Sequence, residues 1–113
     1  MTFMPNFSKN EVILVRYPFS DLTNFKIRPA LVVNAPHISK DLFIVALTSK
    51  TQSLLSSEFV LSEWQNAGLN VETAVKRGIF TIHEKLVLKA VGKLTDSDAE
   101  SLDKSLREWF DLR

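Results

Sequence analysis

Hydrophobic and polar residues alternate in short runs along most of this chain, and turn formers break those runs at close intervals. Glu11 to Tyr17, E-V-I-L-V-R-Y, is β-branched and aromatic and is closed by Pro18, which has no N–H for a ladder, so it reads as a strand with a firm end. Pro18 to Arg28 mixes Asp, Thr and Asn with basic residues, the make-up of a long loop, and a second strand is expected from Pro29 through the apolar run Ala30 to Val33. Leu42 to Leu47, L-F-I-V-A-L, is too short and too β-branched for a helix and predicts a buried strand ending at Thr48 and Ser49. Glu58 to Leu61 alternates, and Ser62 is placed to cap a short helix through Glu63, Trp64 and Gln65 that Gly68 ends. Thr73 to Lys76 and Ile79 to His83 flank Gly78 and suit one bent strand or two, and Leu86 to Val91 completes the sheet. The period then changes. Thr95 fits an N-cap, Asp96, Asp98 and Glu100 suit the positive end of a helix dipole, and Ala99, Leu102, Leu106, Trp109 and Phe110 form one apolar stripe expected to face the core. The sum is a mainly β (α+β) chain: five to seven short strands in a strongly curved sheet or partly open barrel, with a short internal helix and a C-terminal helix.

Composition narrows the possibilities. The 113 residues suffice for one domain spanning 1–113, and 45% hydrophobic with 24% charged residues fits a folded globular chain. No apolar run approaches the roughly 18 residues of a membrane span, and Met1 to Lys9 lacks the features of a signal peptide, so a cytoplasmic address is the default expectation. Cysteine is absent, which rules out disulfides and thiolate chemistry, and two histidines, His37 and His83, make a poor basis for a metal site. Net charge is only +1, but residues 1–94 carry 11 basic and 7 acidic side chains while residues 95–113 carry 3 and 6. A mildly basic body therefore bears an acidic tail, which permits an anionic partner without requiring one.

Three segments together carry a resemblance. Glu11 to Phe19 with Asp21 (E-V-I-L-V-R-Y-P-F-x-D), Lys26 to Val33 (K-I-R-P-A-L-V-V) and Leu47 to Lys50 (L-T-S-K), in this order and spacing, resemble the MazF/PemK family of toxins from prokaryotic toxin–antitoxin systems. The likeness continues more weakly through Thr81-Ile82 and Val91-Gly92-Lys93-Leu94, covering most of the chain from about residue 9. It implies an SH3-like barrel with added helices and a homodimeric endoribonuclease that needs no metal or other cofactor. Such an enzyme cuts single-stranded RNA, often messenger RNA, at short motifs, arrests growth and is neutralised by a cognate antitoxin seated in the RNA groove.

The resemblance makes Arg28 the catalytic cation and Thr48 and Ser49 the hydroxyls at the scissile phosphate. The chemistry suits them. RNA carries its own nucleophile, the 2′-hydroxyl, so a protein that positions it and stabilises the charged phosphorane can form a 2′,3′-cyclic phosphate and a 5′-hydroxyl without a metal. A guanidinium binds two phosphate oxygens at once. Read alone, Arg28 is an exposed arginine before a proline, and Thr48 and Ser49 are strand-end turn formers. Asp21 and Thr23, turn formers on their own, fall in the loop that contacts RNA in the family, and Lys26, Lys50, Lys76, Arg77 and His83 complete the candidate RNA-binding set. Lys76, Arg77, Lys85, Lys89 and Lys93 could equally be a backbone track or solvated strand faces. Trp64 suits the core better than base stacking.

Departures from the family pattern are informative. One branch places an arginine and an aspartate two residues apart upstream of P-R-T-I, and here Val75 and Arg77 stand at those places, with Phe80 before Thr81-Ile82 and Ile27 at an often basic position. The carboxylate base of that branch is missing, which leaves proton transfer to Arg28 with Thr48 or to a local group such as His83 or Glu84. Two other readings stay open: a gyrase-poisoning toxin of similar fold, and a degenerate member that binds antitoxin or RNA without cutting.

Overall fold

The computed structural model describes residues 6–18 and 25–113, with seven strands, one single-turn 3₁₀ helix and one α-helix among them. In chain order these are β1 (Glu11–Pro18), β2 (Phe25–Val32), β3 (Asp41–Thr48), β4 (Phe59–Val60), β5 (Ala74–Val75), β6 (Phe80–His83), the 3₁₀ turn Glu84–Leu86, β7 (Val87–Lys93) and α1 (Asp96–Trp109). Every pairing is antiparallel. The strands run β4-β5-β3-β2-β1-β7, and β6 also pairs with β3. β3 is the hub: it meets β2 at residues 44–46, β6 at 41–44 and β5 at 47–48. Among the described residues no pairing joins β4 to β7, so the sheet does not close, in keeping with the partly open barrel expected from the sequence.

Alternation along the strands gives the sheet two buried faces. Val12, Leu31, Val45 and Leu47 lie in one cluster with Leu61, Val75 and Leu102, and Trp64, Ala99, Leu106 and Trp109 pack against it. Ile13, Val15, Ala30, Val32, Leu42 and Ile44 form the other, which Ile82, Leu86 and Val87 cover. Neighbours in sequence thus enter opposite cores, which is why the strand runs read as continuously apolar rather than alternating.

Several expectations need correction. β2 begins at Phe25 rather than Pro29, because Phe25 to Arg28 continue the ladder with β1 from Pro18↔Phe25 to Val15↔Arg28. The basic side chains in this stretch masked its strand character. The helix expected after Ser62 is instead a series of turns over 62–68 closed by i+3 hydrogen bonds from Asn66, Ala67 and Gly68. Ser62 does not cap it. Buried Asp98 does, accepting from Ser62 N, Ser62 Oγ and Glu63 N, each at 2.9 Å. The short helix falls at 84–86, where the His83 side chain accepts from Lys85 N. Around Gly78 (φ 139°) the chain makes two strands, β5 and β6, on different stretches of β3. Thr95 caps α1 by accepting from Asp98 N, as expected, but Phe110 is 58% exposed because the helix ends before it, at Trp109.

Candidate active site

The chemistry of the site begins with a missing hydrogen bond. Asn10 N donates to Val32 O on the β1 side and Val33 N donates to Phe43 O on the β3 side, so odd-numbered positions of β2 turn their peptide groups toward β3. The ladder runs Val32↔Ile44, Leu31↔Val45, Ala30↔Ala46 and stops. The next exchange would join Pro29 to Leu47, and Pro29 has no N–H to give. Beyond that point β2 and β3 continue to Arg28 and Thr48 without regular pairing, and carrying the same register forward sets Arg28 opposite Thr48. The R-P dipeptide thus ends the regular pairing of β2 with β3.

Where the two strands part there is a cavity of about 1010 Å³. Arg28, Pro29, Thr48, Ser49 and Lys50 line it, together with Leu14 of β1 and Lys89 of β7, which stand opposite each other. Three cations and the strand-end hydroxyls of Thr48 and Ser49 therefore share one concavity, with Thr73 on its far wall, and no Asp or Glu is among its described lining residues. Arg28 is exposed, and its Nη1 donates to Ile27 O at 3.1 Å, which leaves most of the guanidinium fork turned to solvent. Thr48 Oγ1 accepts from Lys50 N at 3.1 Å, fixing the oxygen while its hydroxyl proton stays available to an acceptor. On the other side of β3, Ala74 of β5 pairs with Thr48 and holds the strand end in place.

Other expected site residues lie elsewhere. His83 pairs with Asp41, at the opposite end of β3 from Thr48, roughly 23 Å away at the usual rise per residue. It caps the 3₁₀ turn, and Glu84 beside it accepts from Asn6 and lies 3.9 Å from the Lys40 ammonium. Neither group reaches the cavity. His37 binds Ser39 Oγ and Ser39 N in the turn before β3, again at the far end. Lys76 is committed to Glu58, Nζ to Oε2 at 3.3 Å, and the Arg77 backbone N–H donates to the same carboxylate at 2.9 Å. Val75 is wholly buried, so the place of the branch-specific arginine is a core position here. Lys26 stands opposite Tyr17, two residues along β2 from Arg28 and outside the described lining. Of the basic track, Lys89 enters the cavity and Lys85 and Lys93 are exposed. Asp21 and Thr23 lie outside the described residues. Trp64 packs on the core. Among the described residues no three His, Asp or Glu side chains gather where they could hold a metal ion, and no helix is long and apolar enough to cross a membrane.

One wall of the cavity was not legible. Gly68, Leu69, Asn70, Val71 and Thr73 also line it, and no local motif marks them. The glycines at 68 and 92 were the available signal. An added Cβ on Gly68 would sit 2.1 Å from Val91 O, and one on Gly92 would sit 2.1 Å from Ala67 O, so two backbones touch where neither tolerates a side chain.

No curated protein matches. Among solved structures, the Mycobacterium tuberculosis toxin MazF-mt6 superposes with a TM-score of 0.72 at 20% identity, covering 91% of this chain and 98% of that one. An endoribonuclease in complex with its cognate antitoxin from a mycobacterial species gives 0.75 at 14% identity over 97% and 98%. A MazE-MazF structure from Deinococcus radiodurans gives 0.75 at 10% identity over 94% and 97%. These likenesses establish the fold. The family model described as PemK-like, MazF-like toxin of type II toxin-antitoxin system matches residues 8–110, and the chain belongs to that family.

Proposed function

We propose that this chain is an endoribonuclease that cuts single-stranded RNA, and that the cavity between β2 and β3 is where it does so. The observation that carries the reading is the meeting of Arg28 and Thr48 on one cation-lined, carboxylate-free concavity. An RNA phosphodiester suits it. Arg28 takes two phosphate oxygens, the Thr48 hydroxyl donates to a non-bridging oxygen, and Lys50 and Lys89 hold the flanking backbone. The substrate's 2′-oxygen then bonds to phosphorus, the P–O5′ bond breaks, the 2′ proton passes to water and the 5′-oxygen is protonated by solvent. A 2′,3′-cyclic phosphate and a 5′-hydroxyl result, with no metal in the step. With His83 and Glu84 at the far end of β3, charge stabilisation and in-line positioning are the protein's share. The solved relatives include complexes with an antitoxin, which supports a cognate antitoxin as partner here, and a homodimer is the assembly we assign.

The test is direct. Purified protein is incubated with single-stranded RNAs of varied sequence in EDTA, and the new ends are identified. Cleavage to cyclic phosphate ends is expected, with Arg28→Ala slower by about 10²- to 10³-fold, the range seen when one transition-state donor is lost. Folded protein that leaves every RNA intact defeats the reading. Inhibition of DNA supercoiling without RNA cleavage points instead to a gyrase poison, and growth inhibition unchanged by Arg28→Ala points to a protein that only binds.

A further inference from the structure

The cavity has a cationic side and a second side that carries no charge. Residues 68–73 bridge β7 to β5: Gly68 rests on Val91 at one end, and Thr73 precedes Ala74 at the other. This segment is held along its length. Leu69 N donates to Trp64 O at 3.1 Å, Thr73 Oγ1 donates to Val71 O at 2.8 Å, and Leu61 N donates to Thr73 O at 2.9 Å. Thr51 Oγ1 donates to Glu72 Oε1 at 3.0 Å, tying the segment to the chain just past Lys50 and occupying its one carboxylate. These bonds anchor the segment at Leu69, Val71, Glu72 and Thr73, yet two side chains at the cavity are not engaged. Asn70 is exposed and its amide forms no hydrogen bond among the described residues, and Val71 beside it is 54% exposed.

On the assumption of the activity proposed above, we infer that Asn70 reads a base. A nucleotide whose phosphate lies on Arg28 and Lys50 offers its base to the uncharged wall, where Leu69 and Val71 supply apolar contact and the Asn70 amide supplies one donor and one acceptor side by side. Adjacent donor and acceptor groups are what the Watson–Crick edge of an unpaired base presents. The scaffold suits recognition, since a reading group needs a rigid mount and the Gly68 and Gly92 contact provides one. The cavity volume is ample for a nucleotide with its neighbours.

The test compares wild type with Asn70→Ala and Asn70→Asp on a pool of random-sequence single-stranded RNA, sequencing the cut ends. Asn70→Ala should weaken base preference at one position of the cut site by roughly 5- to 150-fold, the fold equivalent of one paired hydrogen-bond contact, while other positions keep theirs. Asn70→Asp replaces the donor by a second acceptor and should shift that position toward guanine, whose N1–H and N2–H are adjacent donors. Both variants should keep the wild-type unfolding midpoint, since the side chain is exposed and unpaired among the described residues. Unchanged preferences in both variants overturn the inference, and so does loss of all cutting in folded Asn70→Ala, which would make Asn70 part of the chemistry. If wild type cuts no RNA, the proposed activity fails separately. Binding of 2′-deoxy-substituted RNA oligonucleotides differing at one base then decides Asn70: relative affinities that collapse in Asn70→Ala sustain it, and equal affinities or no binding reject it.

Discussion

In the proposed reaction Arg28 and Thr48 would answer different needs of one phosphorane. The guanidinium is a fixed planar fork that meets two oxygens, whereas a lysine ammonium is a point charge on a flexible stem. Arg28→Lys should therefore retain part of the activity, with single-turnover cleavage about 10- to 100-fold below wild type, and Arg28→Ala should fall further. Thr48→Val keeps the shape and removes the hydroxyl, and a loss of about 10- to 100-fold is expected, since each 1.4 kcal/mol is tenfold. If both groups touch the same phosphate, the double variant Arg28→Ala/Thr48→Val will lose less than the product of the two single losses, because groups sharing one partner couple. Independent, multiplicative losses would show that they serve different atoms. At this scale the sequence was partly readable. Arg28, Thr48, Ser49 and Lys50 were brought together by the family resemblance, and the apolar runs beside them predicted the strands that carry them. That His83 lies away from the cavity was not readable, because it depends on β6 pairing with the Asp41 end of β3, and the place of Asn70 was not readable because it depends on a contact 24 residues downstream, from Gly68 to Gly92.

Among the elements, β7 and the 62–68 turns decide whether the cavity has its second wall. The strands of β1 and β7 slip register between Val12 and Ile13, and Gly92 sits at that slip, opposite Val12. There β7 bends, and the bend brings its backbone against Ala67 and Gly68. Gly92→Ala would force a methyl to within 2.1 Å of Ala67 O, with backbone rather than a flexible side chain as the obstacle. Overpacking of this kind costs about 1–3 kcal/mol. A lowered unfolding midpoint is expected together with a rise in KM for RNA, as residues 69–71 move off the cavity. Wild-type stability and KM in that variant would mean that the two backbones do not meet in solution. The helix contributes from behind. Asp98 of α1 holds the start of the turns, while Thr95 Oγ1 donates to Glu63 Oε1 at 2.8 Å, so the N-terminus of α1 is as much an anchor for the turns as an end for itself. That role explains the misread internal helix: Ser62 and Gly68 carry cap-like chemistry, but long-range bonds to Asp98 satisfy the donors a helix would have used. Phe25 to Arg28 fail as a loop for a similar reason, because pairing with Val15 to Pro18 outweighs a polar, basic composition.

For the whole molecule, the weak point is the small β4–β5 unit, only two residues per strand, that holds the outer edge of β3 beside Thr48. Hydrogen bonds so few need a further anchor, and Glu58 is it. Its carboxylate, with the side chain 1% exposed, accepts from Leu55 N at 2.7 Å and from Arg77 N at 2.9 Å, and lies 3.3 Å from the Lys76 ammonium. Burial pushes this carboxyl up, but the backbone amides of Arg77 and Leu55 and the charge of Lys76 outweigh it, and the net displacement is below the ordinary value of 4.5. A carboxyl held low in the folded state stabilises the fold fully above its unfolded value, and that contribution disappears as pH falls through the folded value. Stability supplied by Glu58 is therefore present at neutral pH and fades below about pH 4.5. Glu58→Gln keeps the shape and removes the charge, at a cost of about 1–3 kcal/mol at pH 7. Urea midpoints for wild type and Glu58→Gln should consequently differ most at neutral pH and converge as the buffer is taken below pH 4.5. Other carboxylates titrate in both proteins and cancel from the difference. A gap that stays constant down to pH 3 would assign Glu58 a packing role rather than an electrostatic one, and Thr48 would then owe its position to the β5 pairing alone.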